Sequence, residues 1–181
     1  MGYDVRATKC RFEIPRSSER EAYDALVRFN AATPDEVKRG GTFGNGVAVK
    51  WFSFMEPDFS SYEDLRHLMS DLGFSYVDDD ENETLVFSGW YGDKMGQEDL
   101  IVEAISHLIV PGGCVEWIGE DCRRWKWEFS DGSMFVVEAD TEAWSSVKTT
   151  PTQMDASSRE KIKALSAFRA RMAPANEETE S

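Results

Sequence analysis

Residues 115–138, VEWIGEDCRRWKWEFSDGSMFVVE, alternate with period two, and that alternation commits the chain to an amphipathic antiparallel sheet. Val115, Trp117, Trp125, Trp127, Phe129, Phe135, Val137 and Ala139 are odd-numbered, whereas Glu116, Glu120, Arg124, Lys126, Glu128 and Glu138 are even. Period two sends each set to one face of its strand. The turn decides whether those faces match across strands. A two-residue Asp131–Gly132 loop pairs Phe129 with Met134, odd with even. A three-residue loop, Ser130–Asp131–Gly132, pairs Phe129 with Ser133 and Trp127 with Phe135, with Gly132 at a left-handed bulge position. The spacing favours the three-residue loop, because it keeps the aromatic residues on one face.

The tryptophans read as core rather than as a stacking platform. A platform for single-stranded nucleic acid wants a basic surround, and this chain carries a net charge of −14. That charge also argues against direct phosphate contacts and favours a cationic partner. At 181 residues and 41% hydrophobic, the chain has the length and the apolar content for a sizeable core. No apolar run approaches a membrane span, and the first residues read as a strand rather than a signal peptide. A cytoplasmic protein is expected. The three cysteines, Cys10, Cys114 and Cys122, show no metal-ligand spacing. Cys114 and Cys122 flank a predicted hairpin, which leaves a disulfide between them open.

The acidity belongs to the body of the chain. Residues 145–181 hold six Lys/Arg and five Asp/Glu, and residues 1–144 hold the other 14 and 29. The sequence divides into an acidic domain over 1–144, a Ser/Thr-rich linker over 145–157, an amphipathic helix over 158–172 and a disordered acidic tail over 173–181. Within 1–144 the first strand changes phase near Thr8–Lys9, which predicts a bulge. Ser18 with Glu21, and Ser60 with Glu63, are capping-box patterns for the helices that follow. Pro34 opens a short helix, VAVKWFSFM (47–55) reads as a strand, and 97–109 reads as the clearest helix. The expected fold is α+β: a largely antiparallel sheet with helices packed on one face, plus a separate C-terminal helix.

No motif in the chain carries chemistry strongly. GGTFGNG (40–46) lacks the Lys–Ser/Thr of a phosphate loop and follows a helix, so it reads as a turn. His67 and His107 sit in predicted helices without metal spacing. Neither a metal nor a cofactor is expected. Two acidic groups remain. Asp93, Glu98 and Asp99 lie at a strand-to-helix junction, and Glu120 and Asp121 lie in a hairpin loop; if the loops converge, they suit an acid/base pair or Mg²⁺. Asp78, Asp79, Asp80, Glu81 and Glu83 crowd a second hairpin turn and present dense negative charge. As surface groups, these ten residues are the candidate partner-binding set.

MGYDVR, DEVKRGG, WFSFM, DKMGQEDLIVEAI and VEWIGEDCRRWKWEFSDG together resemble a family of small, mostly uncharacterised proteins encoded by phages and prophages. The resemblance covers most of 1–144. It implies an accessory role in a mobile element. By analogy with small acidic proteins of that origin, it suggests an anti-CRISPR or anti-restriction type of inhibitor. The expected partner is then a basic nucleic-acid-handling protein of the host, such as a CRISPR effector. A carboxylate- or metal-dependent enzyme and a phage structural or assembly protein, self-associating through the C-terminal helix, are the alternatives.

Overall fold

The computed structural model describes residues 4–38, 50–92, 96–140, 143–144 and 148–150. Its centre is the long strand β1 (Val5–Pro15). The phase change at its middle is a bulge: the pairing register shifts between Ala7 and Lys9. Val5 therefore points inward on one side of the bulge, and Cys10, Phe12 and Ile14 on the other. Strands β2 (Phe74–Asp79) and β3 (Thr84–Trp90) extend the sheet on one flank of β1. β4 (Cys114–Gly119), β5 (Arg124–Ser130), β6 (Ser133–Asp140) and the two-residue β7 (Ala143–Trp144) extend it on the other. The order is β2-β3-β1-β4-β5-β6-β7, every pair antiparallel. The chain is α+β.

Helices α1 (Glu19–Ala32), α2 (Leu65–Asp71) and α3 (Glu98–Ala104) bury their apolar stripes in one core with the inner face of this sheet. Phe12 lies at its middle. It stacks on Phe87 at 4.7 Å and meets Phe74 at 5.4 Å and Phe129 at 5.3 Å. Trp117 takes the edges of Trp90 and Trp127 at 5.0 and 4.7 Å, and both Trp117 and Trp127 are fully buried. Trp125 is half-buried and stacks on Trp117.

The β5–β6 register corrects the expected three-residue loop. Phe129 pairs with Met134 and Trp127 with Val136, across a two-residue turn. Asp131 and Gly132 both have positive φ, 52° and 67°. That is the turn whose twist matches two antiparallel strands. The consequence is a swap of faces: Met134 and Val136 point inward, and Phe135 moves to the outer face.

Several local expectations also change. Ser18 occupies the α1 cap position with no side-chain hydrogen bond. Asp64, not Ser60, caps α2 by accepting from the His67 N–H at 2.9 Å; Ser60 instead donates its N–H to Asp58. The helix expected over 97–109 ends at Ala104, because Ile105 leaves helical backbone, and a single 3₁₀ turn, Ser106–Leu108, follows. Residues 50–55 form turns and bends rather than the predicted strand, although Trp51 and Met55 still reach the core. The Pro34 helix is one 3₁₀ turn, Asp35–Val37. Within the span read as a linker, Thr149 bridges Val136 with two backbone hydrogen bonds. The glycine-rich segment 40–46, the helix 158–172 and the tail 173–181 lie outside the described residues.

Candidate functional site

Seven of the ten candidate acidic residues fall at two opposite ends of the sheet. Residues 78–83 make the β2–β3 turn, beside the C-terminal end of β1, where Pro15 pairs with Thr84. Glu120 and Asp121 make the β4–β5 turn, beside its N-terminal end, where Val5 pairs with Gly119. The length of β1 sets the two turns roughly 30 Å apart. They form two acidic ends, not one surface.

The first end is a braced tip. Asp79 accepts from the N–H groups of Glu81 and Asn82, both at 3.1 Å, and from the Asn82 side-chain amide at 3.0 Å. These bonds hold the Asp79 carboxyl below the usual carboxylate range. Asp78 takes both arms of the Arg66 guanidinium, at 2.9 and 2.7 Å, and its pKa is lowered chiefly by that contact. Arg66 also grips Glu19 of α1 with two hydrogen bonds of 3.0 Å. Asp78 is thus an internal staple joining β2 to α1 and α2. Arg16 donates to Asp80 at 2.5 Å, yet the Asp80 side chain stays 89% exposed. Glu81 and Glu83 are exposed, and Glu83 sits at φ 52°, in the left-handed region that side chains seldom occupy.

The second end is a pocket of about 620 Å³ lined in part by Asp4, Arg6, Gly92, Glu120 and Cys122. Of the carboxylates singled out from the two loops only Glu120 lines this pocket, with Gly92 from the start of the other loop; Glu98, Asp99 and Asp121 do not line it, and Asp93 lies outside the described residues. Asp121 is exposed and accepts from the Arg123 N–H at 3.0 Å.

Glu98 departs from the surface reading. It is only 2% exposed, and its carboxylate accepts from the Gly96 N–H at 2.6 Å. Burial raises its pKa to about 7, with the neighbouring Asp99 adding to the rise. Asp99 is half-buried and accepts from the Leu100 N–H.

Cys114 and Cys122 sit at opposite ends of β4, so the strand holds them roughly 15 Å apart, beyond disulfide reach. All three cysteines are free thiols, and burial pushes Cys10 up to about 12. Among the described residues no group of three His, Cys, Asp or Glu side chains is placed to hold a metal ion. No described helix is long and apolar enough to cross a membrane.

Sequence reading missed Arg16 and Arg66, the two cations that organise the acidic tip. The signal for Arg16 was its place directly after Pro15, where the strand beside the tip ends. Arg66 had none beyond its position next to the buried Leu65. No family model matches the chain, and neither a curated protein nor a solved structure does.

Proposed function

We propose that this chain is a non-enzymatic accessory protein of a phage or other mobile element. In this reading it acts in the bacterial host cytoplasm, where it binds and inhibits a basic nucleic-acid-handling protein, in an anti-CRISPR or anti-restriction type of role. The observation that carries the reading is the braced acidic tip. Asp80, Glu81 and Glu83 are held outward by a turn whose conformation is set by Asp79, Arg16 and the left-handed Glu83. Anionic groups that are already ordered lose little entropy on binding a cationic groove. The net charge of −14 supports steered encounter with a basic partner.

The test is capture of partners from a nuclease-treated bacterial lysate by the full chain and by its Asp80→Asn/Glu81→Gln/Glu83→Gln variant, at low and high salt. A nucleic-acid-handling protein, released by salt and lost with the variant, is the expected catch. Recovery of virion proteins or of the chain itself alone would sink the proposal. Asp78 is left intact, because it anchors Arg66 and its loss would confuse folding with binding.

One observation favours a second reading, a carboxylate-dependent enzyme. Glu98 titrates near the pH at which a general acid or base works best. That reading requires a metal-dependent activity that Glu98→Gln abolishes without unfolding the chain.

A further inference from the structure

We propose that the outer face of the sheet is the docking face for the chain's own acidic segment, residues 173–181. The three helices share the inner face, and no described helix packs on the outer one. There β1 presents Arg6, Lys9 and Arg11, β5 presents Arg124 and Lys126, and Lys148 joins them from beyond β7. Four carboxylates, Glu13, Asp79, Glu116 and Glu128, share the face, where the cations still outnumber them, in a chain whose total is −14. Val86 and Val137 are buried on this side, outside the main core.

The arrangement selects its occupant. Arg124 and Lys126 lie 5.2 and 5.0 Å from the Trp144 ring centroid, and Lys148 lies 5.7 Å from that of Phe135. The rings therefore hold cations in place rather than offering themselves to a base. The two acidic ends bound the face along its strands, so a long polyanion meets like charge at both, whereas a short acidic segment meets neither.

Residues 151–181 follow directly from Thr149 and Thr150, at the β6 edge of this face. Two of their segments compete for it. Segment 158–172 carries Arg159, Lys161, Lys163, Arg169 and Arg171, and the face repels it. Segment 173–181 carries Glu177, Glu178 and Glu180 and no cation. It also reaches. From the β6 edge to β1 is three strand spacings, roughly 14 Å. The 27 residues from Thr150 to Glu177 exceed that span even at a helical rise of roughly 1.5 Å each. Tethering raises the effective concentration to roughly millimolar, which offsets the small worth of single exposed ion pairs. The cover is thus salt-sensitive and open to displacement by an acidic partner segment.

Zero-length carbodiimide cross-linking of the full chain, read by mass spectrometry on the monomer fraction, tests this directly. The Lys126–Glu128 pair, 3.0 Å apart, is the internal control. Cross-links from Glu177, Glu178 or Glu180 to Lys9, Lys126 or Lys148 are expected, unchanged by dilution. Their yield should fall about tenfold in about 1 M salt, where the screening length drops to roughly 3 Å. In a Glu177→Gln/Glu178→Gln/Glu180→Gln variant, acetylation of Lys9 and Lys148 should quicken several-fold. Three results would each overturn the proposal: cross-links confined to Lys161 and Lys163, cross-links found only between copies, or unchanged acetylation. Protection of the same lysines by an added oligodeoxythymidylate, stronger than that by the chain's own segment, would give the face to nucleic acid instead.

Discussion

Glu98 shows how far a residue's role depends on what surrounds it. In the sequence it is a carboxylate in the first turn of a helix, a place where local electrostatics welcomes it. In the fold it is buried, beside Gly96, whose Cα is approached so closely by the Phe52 ring that a Cβ there would meet it at 2.7 Å. Its folded pKa of about 7 stands above the ordinary value of 4.5. A raised carboxylate pKa means the folded state binds more protons than the unfolded one between those values. Stability is therefore lost as pH rises from about 4.5 to 7, by about 3 kcal/mol from this group. Glu98→Gln should remove that component. Urea unfolding at pH 5 and pH 8 is expected to show a smaller difference between the two pH values in the variant than in the parent chain. An equal difference in both would place the carboxylate in water.

At the level of elements, turn and cap chemistry can be tested one residue at a time. Gly132 is in left-handed backbone at the second position of the β5–β6 turn. Gly132→Ala should cost about 1 kcal/mol in unfolding free energy, while Asp131→Asn should cost little, because Asn tolerates positive φ. Asp64 and Ser18 make a contrasting pair. Asp64→Ala removes a real cap hydrogen bond and should cost about 1 kcal/mol, whereas Ser18→Ala should change thermal stability by a few tenths at most. The bulge in β1 was legible because the apolar residues themselves changed parity around Thr8. The β5–β6 register was not, since both turn lengths suit Ser-Asp-Gly and the choice rested on where Met134 and Phe135 fit. The core accepted Met134 and Val136, and Phe135 found Lys148 outside.

At the scale of the whole molecule, charge is organised by the sheet. The acidic turns occupy its two ends, cations collect on its outer face, and Arg66 ties β2 to two helices at the rim. Arg66→Lys keeps the charge but cannot keep two bidentate contacts. It should lower the urea midpoint, and it should loosen the β2–β3 tip, seen as faster amide exchange at Glu81 and Asn82. Asp78 and Asp79 have lowered pKa values, so the stability they contribute is present above the ordinary Asp pKa and lost as pH falls below it. With Glu98 acting in the opposite sense, thermal stability is expected to peak between the ordinary Asp value of 3.8 and the ordinary Glu value of 4.5, and to decline on both sides.

The alternation of apolar and charged residues over 115–138 was enough to establish an antiparallel sheet with tryptophans inside, because period two admits one partition of faces within each strand. With no His or Cys at metal-ligand spacing, the carboxylates of two loops were the one catalytic arrangement the sequence offered. Tertiary structure alone decided which carboxylates share a surface. Residues 78–83 and 120–121 are similar in composition, but the length of β1 puts them at opposite ends. It also decided that Asp78 is a staple, that Glu98 is buried, and that the cations of β1 and β5 lie on one face. Each of these depends on partners distant in sequence, Arg66 with Glu19 and Asp78 above all, and no local pattern carries that information.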